Sequence, residues 1–293
     1  MSAAVRAYLL LESLFGRALM WRIGRWMYHG SRRELRNDPK TNGEYALQRA
    51  WVAAQSGLSS SKADLRIVDV GANIGDWTVE LLETLKTSTV DGFVIQAFEP
   101  APTQRQDMIA RCESEIALGR VVVDARGLAA MAGHFPFGIT GDQTGTSALI
   151  APSQGAPNGS EFEIETTTLD AVCSESGLDR LHLVKVDTEG NDFNVILGAK
   201  DLLKREVIEI LQFEYNWRWV AFDRTLKNVF DFLAGKPYVI GRLTPEGVEV
   251  YDAWHPELER FIETNYIIAH RDSIGLIPHW RAVFDSSNTA KRL

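Results

Sequence analysis

The feature that most constrains this chain is an apolar run that ends in an acid at a glycine turn, "VDVGANIGDWT" (Val68–Thr78). The pattern then recurs. "LRIVDV" reads as a buried strand and "DWTVELLETLK" as a helix. "GFVIQAFEP" is a strand closed by Pro100, and "PTQRQDMIARCESEI" a helix. "RVVVDARG", "LHLVKVD" and "EVIEILQFEYN" continue as strands, the last two followed by helical stretches. Repeated strand–helix units require a mainly parallel sheet with helices on both faces. "HFPFGIT" and "EFEIETTTL" alternate like antiparallel or edge strands, and "KPYVIGRL", "GVEVYD" and "NYIIAHR" form a terminal set. The expected fold is therefore an α/β, doubly wound, Rossmann-like sheet of seven strands with an antiparallel edge, preceded by N-terminal helices.

The chain divides into an N-terminal helical segment (1–60), a ligand-binding domain (61–285) and a short tail (286–293). Residues 141–160, rich in Gly, Ser, Thr and Pro, read as a mobile lid or disordered loop. With 293 residues, 45% apolar, the chain buries a core without staples. A net charge of -8 argues against nucleic acid as a partner. Two cysteines, Cys112 and Cys173, lack metal-like spacing and fit a reducing cytoplasm. Charge is uneven, because residues 1–40 carry +5 and the remainder -13. No apolar run is long enough to cross a membrane, since Arg6, Glu12, Arg17 and Arg22 interrupt the first one. A basic, Trp-bearing amphipathic helix packs on its own domain or on a second copy in a homo-oligomer, or lies peripherally on an anionic membrane. Packing is the commoner use.

In an open parallel sheet the ligand sits at the carboxyl ends of the strands. A nicotinamide dinucleotide needs Gly-x-Gly-x-x-Gly to bare backbone toward its pyrophosphate. Here Asn73 replaces the middle glycine of Gly71 and Gly75, and the third is absent. A cofactor without a phosphate cradle is favoured. Glu99, at the tip of the second strand, suits the two vicinal hydroxyls of a ribose, and Asp124, at the tip of the third, an adenine amino group. Ribose and adenine without pyrophosphate point to S-adenosylmethionine.

Residues from about 40 to 270 resemble the FkbM-type S-adenosylmethionine-dependent methyltransferases. The matching pieces are "NGEYAL", "VDVGANIGDWT", "AFEP", "TTTLDAV", "HLVKVDTEGNDFNVILGAKDLL" and "LQFEYN", with Lys185–Ala199 the most distinctive. The resemblance implies a class I methyltransferase fold and O-methyl transfer to a hydroxyl on a sugar, glycolipid or natural-product scaffold. N- or carboxyl-methylation on the same fold, and a non-catalytic cofactor-binding or assembly protein, are the alternatives. It also implies that Asp69, Gly71, Asn73 and Gly75 line the methionine half of the cofactor and Glu99 the ribose. Asp124 and Ala125 then lie near adenine, Glu44 near the amino group, and Asp187 orders the cofactor.

Methyl transfer to oxygen needs alignment and removal of a proton. Asp187 and Glu214, at the ends of two successive strands, are candidate bases, and His255, in a loop beside Trp254, is another. His134 follows the third strand, and His182 opens the fourth at the wrong end. Asp187, Glu189 and Glu214 together are also the expected ligands if Mg²⁺ assists. Tyr215, Trp217, Trp219 and Phe222, just past the fifth strand, suit an aromatic wall for the acceptor.

Overall fold

The computed structural model describes residues 1–34, 37–58, 64–139, 147–150 and 160–293. Three helices come first: α1 (Ala3–Phe15), α2 (Arg17–Ser31) and α3 (Glu44–Gly57). The alternating part runs β1 (Leu65–Val70), α4 (Asp76–Lys86), β2 (Phe93–Phe98), α5 (Pro102–Arg111), α6 (Glu113–Ala117) and β3 (Val121–Asp124). Four short strands follow: β4 (Gly127–Leu128), β5 (Gly133–Ile139), β6 (Ser147–Leu149) and β7 (Ser160–Thr167). After α7 (Leu169–Ser176) come β8 (Leu183–Val186), α8 (Asp192–Leu197), α9 (Lys200–Lys204), β9 (Ile210–Tyr215) and α10 (Leu226–Leu233). The chain ends in β10 (Tyr238–Thr244), β11 (Gly247–Tyr251), β12 (Thr264–His270), β13 (His279–Phe284) and β14 (Ala290–Arg292).

The main sheet has ten strands in the order β14-β13-β11-β10-β12-β9-β8-β1-β2-β3. The five at one end, β9-β8-β1-β2-β3, are parallel, and β12 and β10 join antiparallel. Those seven are the expected sheet. The count is ten because β11, β13 and β14 extend the edge, so residues 290–292 of the segment set apart as a tail are a strand paired with β13. The strands read as alternating edges form a separate sheet, β4-β7-β5-β6. Of the glycine-rich stretch 141–160, Ser147–Ile150 and Ser160 are described, and the expected lid otherwise lies outside the described residues.

Helices cover both faces of the parallel strands, so β8 and β9 are buried throughout, as apolar runs of this kind must be. Side-chain alternation sorts them. Val184, Val186, Leu211 and Phe213 face one core with Phe193, Val229 and Trp219. Leu183, Ile210 and Ile67 face the other, with Trp51 of α3 and Leu81 of α4. Trp51 is fully buried, and Trp51→Ala would cost about 3–5 kcal/mol.

The same alternation places the polar residues. Asp69, Lys185 and Gln212 pair side by side across β1, β8 and β9, on the face that α3 covers. The first residue of α3, Glu44, closes over this row. Its carboxylate accepts from Gln212 at 2.7 Å, from Asn265 of β12 at 3.1 Å and from Asn42 at 2.7 Å.

Candidate active site

The glycine turn begins where β1 ends. Gly71 has φ 75°, and a Cβ there would stand 1.9 Å from the Asp187 carbonyl oxygen. Its bareness therefore serves the approach of the β8 loop more than that of a ligand. Gly75, at φ 84°, caps α4 in the left-handed region, and Asn73 takes that region without being glycine, at φ 51°. Strain of this kind is retained where the surroundings fix it. The fixing bond is from the Asn73 N–H to Glu99 Oε2, at 2.7 Å.

Two adjoining cavities open at the carboxyl ends of the strands. The first is walled by Glu99, Pro100, Gly127 and Leu128, with Phe137, Leu149 and Ile164 from the small sheet. The second, about 420 Å³, is walled by Glu44, Tyr45, Asp69, Asp76, Trp77, Lys185, Glu214 and Glu263. Gly71, Asn73, Asp187 and Glu189 line both, so the two form one cleft across the glycine turn.

Asp69 is fully buried, and its Oδ2 accepts from Thr78 at 2.7 Å while Oδ1 has no hydrogen-bond partner among the described residues. Burial pushes its carboxyl up to about 6 against the pull of Lys185 and Thr78. Glu99 likewise rises to about 6 through burial, although the Ala101 and Asn73 amides oppose it. Burial alone would depress the Lys185 ammonium, but Asp187, Glu44 and Asp69 outweigh it and hold the charge on. Its Nζ donates to Asp187 Oδ2 at 2.8 Å.

Glu214 is buried, and its carboxyl lies well above the usual range because of burial and the neighbouring Asp187 and Glu189. Asn37 donates to its Oε1 at 2.6 Å. Glu189 rises to about 7 through burial and Asp187, while Arg218, 3.0 Å away, pulls it down. Asp192 rises to about 8 through burial and Asp187, and its carboxylate accepts the Gly190 N–H at 3.2 Å.

The structure thus gathers Glu44, Asp69, Gly71, Asn73, Glu99, Asp187, Glu189 and Glu214 around one cleft. It does not bring in four other expectations. Gly75 caps α4, where a Cβ would meet Met108. Asp124 is taken by the Arg126 guanidinium at 2.8 Å, and neither it nor Ala125 lines the cleft. His255 caps a short 3-10 turn and stacks on Phe284 with ring centroids 4.2 Å apart, away from the cleft. The expected Mg²⁺ site is not formed. Among the described residues no three His, Cys, Asp or Glu side chains are arranged to hold a metal. Glu189 turns to Arg218, Asp187 to Lys185, and Glu214 to Asn37 and Asn216.

His134 lies exposed on β5, and His182 accepts the Arg66 N–H at the far end of β8. The aromatic segment splits, with Tyr215 and Trp219 in the core and Trp217 57% exposed. Sequence reasoning missed Asn37 and Asp192 as contributors, and Arg218, open to an anionic substrate on sequence grounds, pairs with Glu189 and Glu263. The signal for Asp192 was present, since it ends the "KVDTEGND" run.

A model of the methyltransferase FkbM domain matches residues 69–240, more than half of the chain. The chain belongs to the FkbM methyltransferase family. The FkbM match and the strand order together give a class I methyltransferase fold, and the family's methyl donor is S-adenosylmethionine. A curated relative, the 31-O-demethyl-FK506 methyltransferase FkbM of Streptomyces tacrolimicus, is 28% identical over 159 residues. The match spans 46% of this chain and 59% of that protein. Among solved structures, methyltransferase FkbM from Methylobacillus flagellatus is similar at TM-score 0.45 and 17% identity, over 75% of this chain and 47% of that one. The METTL16 methyltransferase domain follows at TM-score 0.41 and 11% identity, over 75% and 65%. None of the described helices is long and apolar enough to cross a membrane.

The cleft fits that donor by its own chemistry. An orphaned buried oxygen on Asp69 suits an ammonium, and Glu99 faces the cavity with lone pairs left after two backbone amides. Phe98, Leu128, Phe137 and Ile164 give an apolar slot for a base.

Proposed function

We propose that this chain transfers a methyl group from S-adenosylmethionine to a hydroxyl oxygen of a small molecule, a sugar, glycolipid or natural-product scaffold. The observation that carries the reading is the position of Asp187. Its side chain lines both halves of the donor cleft, is held by Lys185, and is less buried than Asp69 and Glu44 beside the same ammonium.

S-adenosylmethionine supplies an electrophilic methyl carried on a sulfonium. The chain's residues then have positioning and proton-handling roles. Asp69 and Glu44 take the amino end, and Glu99 accepts from the ribose hydroxyls. Asn73 fixes Glu99 through its amide, so the turn and the ribose acceptor are set together. Asp187 receives the acceptor's proton. Glu214, whose environment favours the proton-bound form, orients the acceptor through Asn37 instead of serving as base. Two carboxyl groups on one rim take different tasks because their surroundings differ. No metal enters this scheme.

The test is transfer of labelled methyl from S-adenosylmethionine to a panel of hydroxyl acceptors. A methyl ether that survives mild alkali supports O-transfer to a hydroxyl. An alkali-labile ester would assign a carboxyl acceptor. Asp187→Asn should lower kcat by about 10²–10⁴-fold while donor affinity changes little. Donor binding with no turnover on any acceptor would favour a non-catalytic binding protein, and selective binding of NAD would overturn the donor assignment.

A further inference from the structure

A third cavity, about 680 Å³, lies beside the donor cleft and meets it at Asn37 and Glu263, which line both. One wall is α2. Arg22, Arg25, Trp26 and His29 line it at spacings of three, four and seven residues, which is one helical face. Arg33 and Trp217 continue the wall.

The charge of this wall is unbalanced. The two acids on it already have arginine partners. Glu34 is held by Arg242 at 2.6 Å and Arg32 at 2.9 Å, and Glu263 by Arg218 at 3.1 Å. The Arg22 side chain has no ion pair or hydrogen bond among the described residues. Among the described residues the one side-chain hydrogen bond of Arg25 is to the His29 ring, Nε to Nε2 at 3.4 Å. Arg33 is spent on the exposed Glu246 at 3.4 Å. Among the described residues, two guanidinium groups therefore line the cavity without an anionic partner. Guanidinium forks match the oxygens of phosphate and carboxylate. Trp26, 68% exposed, offers a face on which a sugar ring stacks, while the Trp217 ring already has the Arg218 guanidinium 5.1 Å from its centroid.

We propose that this cavity is the acceptor site, and that its acceptor carries an anionic group, a phosphate ester or carboxylate, beside the hydroxyl to be methylated. Arg22 and Arg25 hold the anion, and the hydroxyl reaches the donor cleft past Asn37. The assignment rests on the methyltransfer reading, because it is the donor cleft that makes the neighbouring cavity an acceptor site. The basic N-terminus, a feature apart from the cofactor motifs, then has a task in selecting substrate.

The test uses the full chain saturated with S-adenosylhomocysteine. Calorimetry compares glucose 1-phosphate and glucuronate with glucose, and in a separate arm vesicles of phosphatidylglycerol with vesicles of phosphatidylcholine. At least one anionic sugar should bind ten-fold or more tightly than glucose. R22A/R25A should remove that preference and leave S-adenosylhomocysteine affinity within two-fold. Equal binding of anionic and neutral sugars, or a preference that survives R22A/R25A, would overturn the proposal. Arginine-dependent binding to phosphatidylglycerol vesicles without binding of any soluble anionic sugar would also overturn it, by assigning the arginines to a membrane surface. Failure of S-adenosylhomocysteine to bind, with arginine-dependent sugar binding intact, would instead remove the donor reading and leave an anion site.

Discussion

Lys185 and Asp187 stand two residues apart on one face of the sheet, ammonium to carboxylate at 2.8 Å, with Glu44 3.9 Å from the same ammonium. Lys185 is 5% exposed, so three acids share one buried cation. Lys185→Met should destabilise the protein by about 3–5 kcal/mol, because breaking a buried pair leaves charge uncompensated. Urea unfolding measures it. A loss under 1 kcal/mol would mean that the cluster rearranges freely.

Glu99 supports the turn and, on the reading above, the ribose. Glu99→Ala should weaken S-adenosylhomocysteine binding by about 1–3 kcal/mol. Unchanged affinity by calorimetry would remove Glu99 from the ribose role.

Donor affinity should depend on pH through Asp69. Its carboxyl is raised to about 6 in the empty protein, so below that pH it holds a proton that an incoming ammonium must displace. Affinity for S-adenosylhomocysteine should be about ten-fold weaker at pH 5 than at pH 7.5. Asp69→Asn should be weak at both values, with a shallower slope. A flat wild-type profile would exclude a direct contact.

Asp192 gives a separate dependence, of stability. Its carboxyl is raised from 3.8 to about 8 by burial first and Asp187 next. Between those values the folded protein holds a proton that the unfolded chain has lost, so stability falls as pH climbs. The expected loss from pH 6 to pH 8 is about 2–3 kcal/mol. Asp192→Asn should make the slope shallower by about that amount in urea unfolding at the two pH values, leaving the smaller share that Glu189 contributes.

Because Glu189 is paired with Arg218 and Glu214 with asparagines, methyl transfer should persist in EDTA. Loss of activity that Mg²⁺ restores would reinstate a metal.

The parallel strands and the cleft's inner acids were legible because they depend on local pattern. Apolar runs ending in Asp69, Glu99, Asp187 and Glu214 put carboxylates at one end of the sheet, and alternation chose their faces. What was not legible is choice of partner over long sequence distance. Asn37 meets Glu214 across 177 residues, and nothing near either residue announces the other. Asp124 looked free until Arg126, two residues on, folded back over it. His255 looked like a base in a loop, but packing gave its ring to Phe284. The edge strands formed a sheet of their own because β5 finds β7 and not the main sheet.

None of the residues of α1 or α2 is buried, and the described bonds from α2 and the following turn to the body are polar, such as those of Tyr28 and Arg32 with Glu257. The donor cleft, by contrast, is built from strands that cannot change without loss of the core. Exposed positions tolerate substitution within about 0.5 kcal/mol. The wall carrying Arg22 and Arg25 is therefore the part of the molecule where new sequence can be tried at little risk to folding, and a lineage can exchange what it recognises while keeping how it reacts.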